Sequence, residues 1–274
     1  MSLYEKIRLH DQGFTWKLYE IRNKNTGHIY SAKITTIKLN KMCKKDLVNL
    51  SREINNISQV EHPSILKFIG YSPTDFSNKK RPVIVTEFAP KGSISEILSR
   101  ERKGKIVSNW DSTKKLINIY GIASGMKYLH SNKILHRDLT PENIYLDDNL
   151  YPKIGNFGLS TQVHTQESLT YQSTIGVKGN PVYSAPEVLQ YNEYSKSSDV
   201  YSFGLIIYSI MTGNIPFENI NSLQKLFNEV ITKCKRPEFD IEIEDRLKQL
   251  IEICWSQNPN DRPTFENIVD VLEN

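Results

Sequence analysis

Hydrophobic and polar residues alternate in the first third of the chain and recur at helical spacing in the remainder. Four runs within residues 17–88 have the alternation of β-strands, and two of them flank the turn signal Asn25-Thr26-Gly27, which predicts an antiparallel hairpin. The segment Lys45–Val60 follows the hairpin and carries apolar residues at helical spacing, which predicts one helix. The strand-like runs are Lys17–Asn23, His28–Ile37, Leu66–Gly70 and Pro82–Phe88.

Helical patterns dominate after the turn-forming run Ala89-Pro90-Lys91-Gly92. This change predicts two packed lobes joined by a short hinge, and clefts between packed bodies are common ligand sites. We therefore expect one α+β domain over residues 1–274, with a small β-rich lobe over about 8–88, a hinge over about 87–91 and a larger, mainly helical lobe over about 92–274. The clearest helical runs are Ser93–Arg100, Ser112–His130, Asp199–Met211, Leu223–Val230 and Thr264–Leu272.

Composition is that of an ordinary globular domain. The chain is 38% apolar and 24% charged, and its net charge of +4 is spread along it, which argues against a nucleic-acid surface. Its longest apolar run, Phe203–Met211, is too short to cross a bilayer, so we expect no membrane insertion. Cys43, Cys234 and Cys254 fit no metal-ligand spacing, and Met1–Asp11 is too polar for a secretory signal. These features favour a reducing, cytoplasmic location.

Two short motifs carry the chemistry of the chain. The first is His136-Arg137-Asp138-Leu139-Thr140-Pro141-Glu142-Asn143, and the second is Asn156-Phe157-Gly158. With the further motifs around them, the chain resembles the protein kinase family over about residues 13–272, and within it the tyrosine-kinase-like group. The resemblance implies the bilobal protein kinase fold. The further motifs are Tyr30-Ser31-Ala32-Lys33, Arg52-Glu53-Ile54, Phe68-Ile69-Gly70-Tyr71, Pro186-Glu187, Ser198–Gly204, Cys254-Trp255 and Asp261-Arg262-Pro263.

The resemblance assigns the cleft between the lobes to ATP. It implies that Lys33 holds the α- and β-phosphates and pairs with Glu53. It also implies that Asp138 orients the substrate hydroxyl and accepts its proton, while Asn143 binds a magnesium ion. The residues implied around the nucleotide are Gly13 on the glycine-rich loop, Leu18 in the roof, Thr86 as gatekeeper, Glu87, Phe88 and Ala89 in the hinge, and Tyr145 in the floor.

Other implied roles are structural. Glu187 would form a buried ion pair with Arg262, and Asp199 would brace the catalytic loop from the long apolar helix. The bulky side chains expected to stack between the lobes of an assembled kinase are Ile57, Phe68, His136 and Phe157.

Three residues depart from the pattern at the centre of the expected reaction site. Asn156 stands where the family has a magnesium-binding aspartate, Thr140 where it has a lysine, and Asn180 where it has a threonine. Magnesium prefers anionic oxygen, whereas an amide offers one neutral oxygen and a donor. Such metal contributions are worth several kcal/mol, so we expect activity to fall by orders of magnitude and a magnesium site to be unsupported.

The nucleotide-binding loop and pocket are also altered. The three glycine positions fall at Asp11, Gly13 and Trp16, so only Gly13 keeps the small residue that lets backbone approach phosphate. Asp11 brings a like charge, and Trp16 brings bulk. The changes in the pocket walls are Leu18 and Ser31 in the roof and Tyr145 in the floor. Tyr145 would fill part of the pocket unless its ring rotates outward, and the sequence leaves both orientations open.

Two hypotheses of function follow. The first is a catalytically impaired pseudokinase that acts as a scaffold or allosteric partner of another protein, such as an active kinase, with or without bound ATP. The second is an ATP- and magnesium-dependent kinase that phosphorylates Ser or Thr of proteins, because Pro141-Glu142-Asn143 follows that style.

The expected activation segment, residues 156–187, bears several hydroxyl groups. Arg137 would be placed to receive a phosphate on one of them, although a polar loop would contain hydroxyls in any case. The candidates are Thr165, Ser168, Thr170, Tyr171, Ser173 and Thr174.

Overall fold

Two lobes are present, as the sequence predicted. The computed structural model describes residues 1–13, 15–162 and 179–274, so the candidate phosphorylation sites lie outside the described residues. The first lobe is a five-stranded antiparallel sheet in the order β1-β2-β3-β5-β4, with one helix. Its strands are β1 Tyr4–Gln12, β2 Trp16–Asn23, β3 Ile29–Thr35, β4 Phe68–Ser72 and β5 Val83–Glu87.

The alternation along β3 determines which side chains face the cleft. Ala32 and Ile34 are buried with Val83 and other apolar residues in a small core on one face of the sheet. Because successive side chains of a strand point to opposite faces, Lys33 points to the other face. Leu18 on β2 is in register with Lys33, so the expected roof residue lies beside the expected phosphate-binding lysine.

Helix α1, Lys44–Ser58, lies close to the predicted segment. Asp46 accepts a hydrogen bond from the backbone N–H of Cys43, which caps the first turn. Near the other end, the buried Asn56 donates to Ser160 Oγ over 2.9 Å. Since Ser160 follows the Asn156-Phe157-Gly158 motif, this bond ties α1 to the second lobe.

The second lobe is built around two long helices, α3 Ser112–Ser131, which buries somewhat less than half of its residues, and α5 Lys196–Thr212, which is mostly buried. Ser195 caps the N-terminus of α5 by accepting a hydrogen bond from the backbone N–H of Ser198, which explains why the helix begins before the predicted Asp199. The helices are α2 Ile94–Arg102, α3 Ser112–Ser131, α4 Pro186–Tyr191, α5 Lys196–Thr212, α6 Leu223–Phe227, α7 Asp245–Cys254 and α8 Phe265–Glu273.

Several elements were not predicted from the sequence. Strand β1 is mostly exposed and its register with β2 shifts twice, so it lacks a regular alternation. Helix α4 has only six residues. Helix α7 was also not predicted, although its apolar residues recur at helical spacing and would have indicated it. These residues, which are buried, are Leu247, Leu250, Ile251 and Cys254. The predicted helix Leu223–Val230 is α6, which ends at Phe227 and continues as a π-helical turn.

Two short antiparallel pairs frame the chemical motifs. Strand β6, Ile134–Leu135, pairs with β9, Thr161–Gln162, and β7, Ile144–Leu146, pairs with β8, Pro152–Ile154. Strands of two or three residues are too short to show a periodic pattern. They nevertheless hold the segments 136–143 and 156–158 side by side under the cleft.

Asp199 on α5 fixes the backbone of the 136–143 segment. Its Oδ2 atom accepts from the backbone N–H of His136 and from Nε2 of His130, both over 2.9 Å, and its Oδ1 accepts from the backbone N–H of Arg137 over 2.9 Å. Burial alone would raise the pKa of Asp199, but the hydrogen bond and charge of His130, the charge of His136 and the Arg137 N–H outweigh it and lower the pKa. Asp199 is therefore a buried carboxylate whose acceptor capacity is used.

We predict that Asp199→Asn lowers the free energy of unfolding by about 3 kcal/mol at neutral pH, because an amide nitrogen cannot accept these bonds and the group is buried. A lowered folded-state pKa stabilises the protein above the unfolded-state value of about 3.9 and loses this effect as pH falls through the folded-state value. Urea unfolding from neutral pH to about pH 3 measures the difference in free energy of unfolding between the unmodified chain and Asp199→Asn. This difference should be constant above about pH 4 and decrease below it. A difference that increases on acidification would contradict this account.

Candidate active site and its departures from phosphoryl-transfer geometry

A cavity of about 180 Å³ lies between the two lobes, beneath the β1–β2 hairpin and in front of the hinge. It is lined by nearly all the side chains that the sequence assigned to a nucleotide site, although Gly13 and Asp138 are not among its lining residues. His10, Leu66, Ile84 and Glu142 also line it and were not assigned. The expected residues that line it are Asp11, Trp16, Leu18, Ser31, Lys33, Glu53, Ile57, Thr86, Glu87, Phe88, Ala89, Asn143, Tyr145, Asn156 and Phe157.

The expected lysine–glutamate pair is formed. Lys33 Nζ on β3 lies 2.6 Å from Glu53 Oε1 on α1, and both side chains are largely buried. The same ammonium group lies 3.4 Å from Asn156 Oδ1. Helix α1 is therefore held against the sheet in the position that an assembled kinase requires.

Asn156 bridges the two polar residues of the catalytic loop. Its Nδ2 donates to Asn143 Oδ1 over 2.9 Å and to Asp138 Oδ2 over 3.3 Å. The orientation of the amide follows from its neighbours, since the Lys33 ammonium can only donate and the Asp138 carboxylate can only accept. The backbone of Asn156 is left-handed, with φ of 61°, a conformation that asparagine tolerates better than most residues.

Asp138 is enclosed by hydrogen-bond donors. Its Oδ2 also accepts from Asn143 Nδ2 over 2.9 Å, and the backbone N–H of Asn180 donates to the carboxylate. Gly179 has φ of 85°, and a Cβ at this position would collide with Asp138 Oδ1. Burial raises the pKa of Asp138 above its ordinary value, while the charge of His136 and the bond from Asn143 oppose the rise.

The two other departures in this region do not supply a cation. Thr140 is buried, so the position of the family lysine holds a neutral side chain. The side chain of Asn180 turns away from Asp138, because its Oδ1 accepts from the backbone N–H of Val182 over 3.1 Å. The Asn180 contact to Asp138 thus comes from backbone alone.

The β1–β2 hairpin is closed by a tryptophan. A Cβ on Gly13 would lie only 2.6 Å from Cε2 and Nε1 of Trp16, so the indole covers the one remaining glycine of the loop. Asp11 stands beside it and also lines the cleft. At the mouth, His10 packs edge-on against Phe88, with ring centroids 5.7 Å apart.

Tyr145 points inward. Its ring lies under the cleft, and a Cβ on Gly155 would be 2.8 Å from Tyr145 Cε2 and 3.1 Å from Cδ2. The ring therefore occupies the space that a side chain at position 155 would need, and it lies low enough to leave the cavity open. Sequence reasoning missed Gly155, although a glycine directly before Asn156 was a usable signal.

The residues expected to stabilise the fold contact one another in the structure. His136 and Phe157 pack with ring centroids 5.5 Å apart, Ile57 is buried in the same core, and Phe68 packs against that core. Arg262 is buried and forms two bonds to Glu187, Nη1 to Oε1 over 2.7 Å and Nη2 to Oε2 over 3.0 Å. Such forked pairs are among the stronger charged contacts in proteins.

A magnesium ion does not fit the donor set at Asn156. The Asn143 oxygen is already bonded to an amide N–H group, and the Asn156 nitrogen that faces Asp138 is a donor that a cation would repel. Within residues 1–13, 15–162 and 179–274, no group of three or more His, Cys, Asp or Glu residues could hold a metal ion.

Comparison with known proteins agrees with this geometry. The family model described as protein kinase domain matches residues 4–271. The chain belongs to the protein kinase family.

Its relatives in this family are of the tyrosine-kinase-like type, as the motifs predicted. It is 35% identical to the dual specificity protein kinase shkC of Dictyostelium discoideum, over 90% of this chain and 48% of that protein. It is 34% identical to the Arabidopsis thaliana serine/threonine/tyrosine-protein kinase HT1, over 81% of this chain and 53% of that protein, and 34% identical to the Arabidopsis serine/threonine-protein kinase CTR1, over 81% and 26%. The chain thus spans about half the length of these relatives or less.

In the described part of this kinase-family chain, no helix is both long enough and apolar enough to span a membrane.

We predict that Gly155→Ala destabilises the protein by about 1–2 kcal/mol, because the added methyl group overpacks the site against the Tyr145 ring. In a protein that already carries Tyr145→Leu, Gly155→Ala should lower the free energy of unfolding by clearly less. Denaturant unfolding of the four proteins of this cycle measures the coupling. Gly70→Ala is the matched control, since a Cβ there would have no neighbour within 4 Å. Equal costs in both backgrounds would show that Tyr145 does not pack against Gly155.

Proposed function

We propose that this chain is a catalytically impaired protein kinase domain, a pseudokinase that acts by binding another protein in signalling. Support comes above all from the Asn156 amide, which donates to the two side chains, Asp138 and Asn143, that surround the expected metal position. Without a metal ion, a transferring phosphoryl group would lose its main counter-charge, because the nearby Lys33 ammonium is already paired with Glu53. The buried Thr140 adds no charge to replace it.

The assembled shape supports a role in binding. Glu53, Lys33, Asn156 and Asp138 form a continuous chain of polar contacts from α1 to the catalytic loop. These side-chain contacts connect the two lobes, in addition to backbone hydrogen bonds of Ile154 with Ser64 and Leu66. A fold that reaches the closed shape without chemistry can present a fixed surface to a partner, such as an active kinase, and a change in lobe closure gives it two states.

An active Ser/Thr-directed kinase is the second candidate. It is favoured by the formed Lys33–Glu53 pair, by Asp138 in the base position, and by relatives whose names describe them as protein kinases. ATP would be its substrate. We favour the first candidate because the metal position is the one on which transfer depends most strongly.

We predict that the purified chain transfers no more phosphate from magnesium-ATP than its Asp138→Ala variant does, either to itself or to a general protein substrate. Radiolabelled ATP gives the required sensitivity. Transfer by the unmodified chain that Asp138→Ala abolishes would overturn the proposal. The double variant Asn156→Asp, Thr140→Lys should gain at least about tenfold, which corresponds to 1.4 kcal/mol, if these two positions limit transfer.

A further inference from the structure

The two ends of the cleft differ in chemistry. The inner end, next to the hinge, is lined mainly by apolar side chains of the first lobe and the hinge, Leu18, Leu66, Ile84 and Ala89, with Tyr145 below them in the second lobe. Within the described residues, no hydrogen bond is formed by the backbone N–H of Ala89, which is buried and follows β5. An unpaired N–H group on a buried residue that lines the cleft favours a ligand with an acceptor, so this end fits a planar heterocycle.

The floor of the inner end is aromatic and uncharged. Burial, together with the negative charges of Asp11, Glu96, Asp138 and Glu53, raises the pKa of Tyr145 to about 12. The hydroxyl therefore stays protonated at neutral pH. The ring offers a flat surface for a stacked heterocycle, and the hydroxyl offers a neutral donor.

The outer end, beneath the β1–β2 hairpin, carries a tryptophan and acidic side chains. The Trp16 indole covers Gly13, so the backbone of Gly13 is not open to a phosphate chain. Asp11 and Glu142 also line the cleft. The cation that lines it, Lys33, is paired with Glu53 over 2.6 Å and contacts Asn156.

These charges oppose a polyanion but not a neutral molecule. A triphosphate placed toward Lys33 would approach the exposed Asp11 and Glu142 and the largely buried Asp138, and the repulsion from Asp138 is the least screened by solvent. A magnesium ion would ordinarily offset this repulsion, but the donors around Asn156 do not suit it. An uncharged ligand would gain the contacts of the inner end without this cost.

We propose that the cleft binds an uncharged nucleoside-class ligand, a planar heterocycle bearing a neutral sugar, without metal and in preference to the corresponding triphosphate. This inference rests on the proposed loss of phosphoryl transfer and gives the same cleft a different ligand class. Asp11 and Trp16 are its specificity-determining residues, since they exclude the phosphate chain by charge and by bulk.

Isothermal titration of the full chain with adenosine, and separately with ATP with and without magnesium, tests the proposal. Adenosine should bind at least about tenfold more tightly than ATP, and magnesium should not change the result for ATP. The double variant Asp11→Asn, Trp16→Gly should bind ATP more tightly than the unmodified chain does, which lowers the ratio of adenosine affinity to ATP affinity. Asp148→Asn is the matched charge control, because Asp148 is exposed in the β7–β8 turn and away from the cleft, and it should leave the preference unchanged.

Two outcomes would overturn the inference. One is ATP binding as tightly as adenosine or more so, or binding that requires magnesium. The other is no heat of binding and no thermal shift with either molecule. Both outcomes are measured by binding and not by the phosphotransfer assay. If the chain does not prefer adenosine, the result therefore leaves the separate question of phosphoryl transfer unaffected.

Discussion

The side-chain amide of Asn156 is the contact on which the geometry of the cleft depends. It has a donor and an acceptor, and the site uses both: Oδ1 faces the Lys33 ammonium, and Nδ2 joins Asn143 to Asp138. A carboxylate at this position would face two acceptors and would need a cation between them. The amide satisfies the same neighbours without one. The lobes are thus joined by a network of side chains in which each donor faces an acceptor.

In this chain the residues that stabilise the kinase fold are retained, whereas several residues expected to bind nucleotide and metal are changed. Asp199 still fixes the catalytic loop, Arg262 still pairs with Glu187, and Asn56 ties α1 to Ser160. These contacts lie in buried regions where losing a partner is costly, whatever the activity. The changed residues Asp11, Trp16, Tyr145 and Asn156 line the cleft, where an altered side chain changes the ligand that the cleft can accept.

Much of the fold could be predicted from the sequence, because strand alternation, helical periodicity and ordered motifs all describe local or family-wide properties. The Lys33–Glu53 pair, which the resemblance to protein kinases implied, is formed. Periodicity alone placed Lys33 on a strand and Glu53 on a helix but did not predict their contact. Strand β1 could not be predicted, because its exposed side chains and register shifts remove the alternation.

The site could be predicted as a set of residues but not as a set of contacts. The inward position of Tyr145 depends on Gly155, which has no side chain to occupy the same space. Tyr145 lies on β7, and Gly155 directly follows the paired strand β8. The bonds of Asn156 depend on which of its neighbours donate and which accept. Such relations require coordinates, because neither spacing nor residue type alone fixes which side chains meet.

The most direct test of the metal-free network is a thermal unfolding comparison of the unmodified chain and Asn156→Asp, each with and without magnesium, with the exposed Asn25→Asp as a charge-matched control. The account predicts no response to magnesium in the unmodified chain and the control, a lower melting temperature for Asn156→Asp without metal, and recovery when magnesium is added. Magnesium stabilisation of the unmodified chain, or an Asn156→Asp variant as stable as its parent without metal, would contradict it.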